Sequence, residues 1–163
     1  EFDEGHYVAN HGYSHKYSTV YASPEATLNE YNYTEDAIRK ALGNNSYMSK
    51  LFRFPGGSNG GYYDEAKQNS KALLHENGIM HLDWNSLSSD AAGAKTKEAL
   101  FQNVKDTMGE KDSVVILMHD SSDKILTYEM LSDLISYLRK QGYKFENIYD
   151  LFHVIFFIAS STS

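Results

Sequence analysis

The sequence predicts an α/β fold, and three observations carry that prediction. Helical segments that stop at glycine alternate with short apolar segments along the chain. The run Ser113-Val114-Val115-Ile116-Leu117-Met118 is the continuous apolar kind found in parallel sheets, and chemically capable residues follow several of the short apolar segments. Strand, helix, strand, helix in that order implies a parallel sheet or a barrel. Ligands in such folds sit at the carboxyl ends of the strands.

Tyr7-Val8-Ala9 is the first short apolar stretch. Ser23-Pro24-Glu25 opens a helix, with Ser as N-cap and Pro in the first turn. Thr34-Glu35-Asp36 gives a second start signal before Ala37-Ile38-Arg39-Lys40-Ala41-Leu42, which stops at Gly43. Leu51-Phe52-Arg53-Phe54 reads as a strand. A helix over 64–77 ends at Gly78 and leads to the strand Ile79-Met80-His81-Leu82-Asp83. The unit then repeats: Thr96 to Met108 carries Ala99, Leu100, Val104 and Met108 at helical spacing, ends at Gly109, and hands over to the 113–118 strand, expected to be buried on both faces. The last helix, Tyr128 to Gln141, has Met130, Leu131, Leu134, Ile135 and Leu138 on one stripe. It stops at Gly142 before Tyr143-Lys144-Phe145.

The chain has 163 residues, 22 acidic against 15 basic for a net charge of −7, and 41% hydrophobic residues, the profile of one globular domain. We assign that domain to residues 1–152 and treat 153–163 as an apolar, Ser-rich tail. The absence of cysteine excludes a disulfide scaffold, a thiolate zinc site and a cysteine nucleophile, and leaves the compartment open. The densest basic cluster is Arg139-Lys140 with Lys144 nearby, too sparse for nucleic acid. The aromatic fraction of 13%, with 13 tyrosines, supplies rings with polar tips of the kind that stack on sugars. The longest apolar run, Val154 to Ala159, is too short for a membrane span, and Glu1-Phe2-Asp3-Glu4 has no signal-peptide character.

Polar residues near the strand ends form a consistent set. His11 and His15 stand four apart in His11-Gly12-Tyr13-Ser14-His15, a spacing that lets two imidazoles share a metal ion; two unrelated loop histidines would read the same. Position 12 is Gly, where a zincin would need Glu, so a metallopeptidase of that type is excluded. Arg53-Phe54-Pro55-Gly56-Gly57 is a stiff turn followed by backbone that can approach a ligand oxygen, or an ordinary loop. Asp83-Trp84 is either a carboxylate and ring lining a site, or a strand-end cap beside a core filler. His119 follows the 113–118 strand, where an imidazole can act as an acid near neutral pH; a hydrogen-bonded core histidine is the alternative.

The order and wording of these segments resemble the polysaccharide deacetylases of carbohydrate esterase family four. His11-Gly12-Tyr13-Ser14-His15 is similar to the family's second motif, Arg53-Phe54-Pro55-Gly56 to its third, Asp83-Trp84 to its fourth and Leu117-Met118-His119 to its fifth. Glu4 to Asn10 resembles the lead-in to the second motif.

The resemblance implies a deformed (β/α) barrel that removes N-acetyl groups from N-acetylglucosamine units, with peptidoglycan the first choice of polymer and chitin oligomers the second. His11 and His15 would bind a divalent metal, zinc first, with cobalt or nickel as alternatives. His119 would protonate the leaving amine, Asp83 would hold that imidazole, and Arg53 would orient the base. Pro55, Gly56, Trp84 and Leu117 would line the substrate, with the amide of Gly56 helping to stabilise the oxyanion; the family often has Tyr at that position. The family's first motif, which supplies the base and the third ligand, has no match, because Asp3 stands too close to His11 for a crossover. The barrel is therefore expected to be incomplete at its N-terminus, the chain weak or inactive by itself, and its open edge a site for self-association. A non-catalytic sugar-binding module and an O-acetyl xylan esterase are the alternative functions. For the parent protein the resemblance implies an extracellular or cell-envelope location in a bacterium.

Overall fold

The computed structural model describes residues 2–148 and 150. The chain divides into two compact units: Glu1–Asp83, to which the described residues past Glu146 also belong, and Trp84–Glu146. The tail at 153–163 lies outside the described residues.

In the first unit a 3-10 turn at Phe2–Glu4 and a short helix α1, Tyr17–Val20, precede α2, Pro24–Leu42. The Ser23 hydroxyl accepts the Ala26 N–H at 3.1 Å, Pro24 fills the first helical position, and Gly43 ends the helix in the left-handed conformation. The two expected helix starts thus belong to one helix of 19 residues. No Gly or Pro interrupts it, and the Thr34 hydroxyl bonds back to the Glu30 carbonyl at 2.9 Å instead of capping a new start.

Strand β1, Leu51–Phe52, pairs in parallel with β2, Met80–His81, and α3, Asp64–Glu76, is the crossover between them. The expected first strand is a single parallel bridge: Asn10 N–H donates to the Leu51 carbonyl at 2.9 Å, and Arg53 N–H to the Asn10 carbonyl at 2.8 Å. The core of this unit is strongly aromatic, with Tyr21, Tyr31, Phe52 and Phe54 joined by Val20, Leu74 and Ile79. The Phe52 and Phe54 rings meet edge-on at 4.9 Å, a favoured aromatic geometry.

The second unit repeats the pattern: β3, Ser86–Leu87, then α4, Lys97–Met108, then β4, Ile116–Leu117, parallel to β3, then α5, Ile125–Lys140. The Thr96 hydroxyl caps α4 by accepting the Ala99 N–H at 3.1 Å. Leu100, Val104 and Met108 of α4 pack on Met130, Leu134 and Leu138 of α5.

Three expectations are corrected here. The 113–118 segment is only half-buried along 114–118, with Val114, Ile116 and Met118 alternating onto the α4–α5 core. On α5 the buried stripe is Met130, Leu134 and Leu138, while Leu131 is exposed and Ile135 only partly covered. Residues 143–145 form no strand, because the Tyr143 N–H turns back to the Leu138 carbonyl at 3.1 Å and closes the helix end. Among the described residues no helix is long and apolar enough to cross a membrane.

Candidate active site

The His11–His15 loop is held from beneath by buried polar side chains. Asn10, fully buried, accepts the Gly12 N–H at 3.0 Å and donates to the Tyr31 carbonyl and to Glu35. Glu35 in turn accepts the backbone N–H and hydroxyl of Ser49. The buried Glu30 carboxylate accepts the N–H groups of Tyr13 and Ser14 at 2.9 and 2.6 Å. These bonds account for the buried acids of α2, whose charge would be costly to bury without donors around it.

On that base the two imidazoles meet edge-on, ring centroids 5.0 Å apart. His11 Nδ1 lies 2.7 Å from the Arg53 carbonyl, which can only accept, so Nδ1 carries a proton. A metal-binding histidine is commonly fixed in this way by a backbone carbonyl. His15 has φ +54, a left-handed conformation that histidine tolerates better than most residues. Among the described residues no group of three or more His, Cys, Asp or Glu is arranged to hold a metal. The donor set of this loop is two imidazoles, suited to zinc, copper, iron or nickel by type.

The Arg53 guanidinium donates to the Leu82 carbonyl; burial lowers its pKa, and the Asp83 charge opposes that. Phe54 to Gly57 form a turn closed by the Gly57 N–H on the Phe54 carbonyl at 2.9 Å. Gly56, at φ +74, occupies the turn position that requires a positive φ. The Pro55 carbonyl accepts the Tyr21 hydroxyl at 2.6 Å.

The Asp83 carboxylate is engaged within its own unit. Both of its carboxylate oxygens take the Ser58 N–H, at 3.1 and 3.0 Å, and one also takes the Ser58 hydroxyl at 2.6 Å. The partner of His119 is Asp90, a residue the sequence reading missed. Its carboxylate meets His119 Nδ1 at 2.8 Å, accepts the His119 N–H at 2.7 Å and takes the Thr127 hydroxyl at 3.0 Å. The Asp90 side chain is 4% exposed and that of His119 44% exposed, so the carboxylate is sheltered and the ring accessible. Burial by itself raises the Asp90 pKa; the hydrogen bonds from His119 and Thr127 outweigh it and leave the pKa lowered. This arrangement presents His119 Nε2 outward with Nδ1 anchored, the orientation that proton transfer requires.

His11, His15, Arg53, Pro55, Gly56 and Asp83 thus lie in the first unit, and Trp84, Leu117 and His119 in the second. Trp84 and Leu117 are half-buried, and the Leu117 carbonyl accepts the Ser88 N–H at 3.2 Å.

Comparison with known proteins decides the family. A family model described as polysaccharide deacetylase matches residues 1–77. A peptidoglycan-N-acetylglucosamine deacetylase of Bacillus cereus is 30% identical over 159 residues, covering 92% of this chain. The chain belongs to the polysaccharide deacetylase family. It spans 53% of that relative's length. Among solved structures, a CE4 esterase of Streptococcus mutans superimposes with a TM-score of 0.78 at 26% identity, over 88% of this chain and 63% of that one. A polysaccharide deacetylase of Bacillus cereus gives 0.74 at 28% identity, over 90% and 68%. The deformed (β/α) barrel class of these deacetylase domains is the α/β class expected from the alternating elements.

Proposed function

We propose that the protein is a metal-dependent deacetylase that removes N-acetyl groups from N-acetylglucosamine units of a bacterial cell-envelope polysaccharide, with peptidoglycan the first choice of polymer. The single observation that carries the reading is the Asp90–His119 pair, a buried carboxylate fixing an accessible imidazole, in a chain of this family.

His11 and His15 are the residues that would hold the ion, zinc by preference and cobalt or nickel as alternatives. Held there, such an ion would supply Lewis acidity toward the acetamide carbonyl. The Gly56 N–H donates to the oxygen that gains negative charge at the acyl carbon. His119 delivers a proton from Nε2 to the departing nitrogen while Asp90 keeps the Nδ1 proton in place. Water adds to the acyl carbon and gives up its proton to bulk solvent, since the family's base-bearing first motif has no match in this chain; the C–N bond breaks, and acetate and a free amine leave, slowly in this chain by itself. Arg53 stiffens the turn through Leu82, and Asp83 secures the following loop through Ser58. Trp84 and Leu117 would shape the groove around the acetyl methyl.

The test is acetate release from zinc-saturated protein on N-acetylglucosamine oligosaccharides, peptidoglycan and acetylated xylan. Release from the first two but not the third supports the reading; release only from xylan makes the protein an O-acetyl esterase. A non-catalytic sugar-binding module is the second reading, favoured by the lack of a three-residue metal group among the described residues. It predicts that oligosaccharides bind without acetate appearing.

A further inference from the structure

A second pair of imidazoles meets where α3 hands over to β2. His75 stands in the last turn of α3 and His81 ends β2, and the chain between them reverses at Asn77–Gly78. The two rings stack at 5.1 Å with 23° between their planes, and His75 Nε2 lies 2.9 Å from His81 Nδ1. An N–H···N bond of that length needs one nitrogen to donate and the other to accept, so a lone pair already lies in the contact. The His81 ring also meets the fully buried Phe54 ring edge-on at 5.9 Å, which anchors half of the pair to the core. His75 is exposed and His81 half-buried, so the pair is open to solutes.

We propose that His75 and His81 form a metal site of their own, separate from the His11–His15 loop, that takes a tetragonal divalent ion of the copper(II) kind. The spacing of the nitrogens selects the ion. Two ligands at right angles, each about 2.05 Å from an ion, stand about 2.9 Å apart, whereas the tetrahedral angle usual for zinc sets them about 3.3 Å apart. Imidazole suits copper by type, and copper(II) stands highest in the affinity order of first-row divalent ions. On binding, the bridging proton moves to the outer nitrogen of its own ring, both inner lone pairs turn to the ion, and water fills its other positions. Lys71 and Asp83 are the charged side chains that act on His81, and both are engaged elsewhere, Lys71 with Asn59 at 2.9 Å and Asp83 with Ser58. The two imidazoles are therefore the donors, and the ion they hold ties the end of α3 to the strand that leads to Leu82, the Arg53 partner. This site does not rest on the deacetylase reading.

The test titrates copper(II) into the metal-stripped His11→Ala, His15→Ala double variant of the full chain, with affinity read by calorimetry and ligation by electron paramagnetic resonance. The spectrum should show two equatorial imidazole nitrogens. Adding His75→Gln, a change at an exposed position, or His81→Phe, which keeps a ring against Phe54, should weaken binding by about 100-fold or more, since a second ligand held in place commonly adds that much to the first. Either change should also remove the two-imidazole spectrum. Copper affinity unaltered by both changes overturns the proposal, as does a spectrum with fewer than two imidazoles in the double variant. Zinc bound more tightly than copper overturns it as well.

Discussion

Asp83 and Asp90 stand seven residues apart and do different work. Asp83 is spent on Ser58, whereas Asp90 positions the His119 ring. Asp90→Asn should therefore cost about 10²- to 10⁴-fold in deacetylation, the range that a positioned proton donor commonly supplies, and should change the 15N signature of the His119 ring. An unaltered ring signature in Asp90→Asn would contradict that positioning role. Glu30 offers a second contrast. It touches neither imidazole yet receives the N–H groups of Tyr13 and Ser14, which lie between them. Glu30→Ala should weaken zinc binding by about 10- to 100-fold, as loss of a ligand-orienting group does, with both histidines still present. Zinc affinity equal to wild type in a dialysis measurement would make Glu30 a purely structural residue.

At the scale of elements, the helices are set by local chemistry and the strands by pairing. Ser23, Pro24 and Gly43 delimit α2, and Thr96 opens α4, all legible from residue type alone. Thr96→Ala should cost about 1 kcal/mol of unfolding free energy in denaturant titration, the usual worth of an N-cap. Strands of two residues are too short for any periodicity to reveal, so β3 at Ser86–Leu87 escaped notice, and Asp90 just beyond it escaped with it. The link between α3 and β2 gives a pH-dependent prediction. His75 Nε2 and His81 Nδ1 lie 2.9 Å apart. Burial first, then the charges of His75 and Lys71, lower the His81 pKa against an opposing pull from Asp83. The unfolded chain therefore takes up a proton near pH 6.5 that the folded chain resists. Stability should fall as pH drops below about 6.5, and should fall less in His81→Phe, when both are unfolded in urea at pH 7.5 and 5.5.

For the whole molecule, the alternation of helices and strands and the spacing of motifs were enough to reach the fold class and the family, because both depend on order along the chain. The partner of His119 was not, because it depends on a left-handed turn at Ser89 and on side chains 29 residues apart meeting. Nor could motif spacing show that Tyr17 stands where a side chain at position 56 would go. The account's central claim is that deacetylation depends on an ion held by His11 and His15. It is tested most directly by measuring acetate release from N-acetylglucosamine oligosaccharides while zinc is added to metal-stripped protein. Release should be weak, because the family's first motif has no match, but should rise with zinc to saturation in wild-type protein and be absent at every zinc concentration in the His11→Ala, His15→Ala double variant. Release from stripped wild-type protein that added zinc does not raise, or equal release from the double variant, would contradict it.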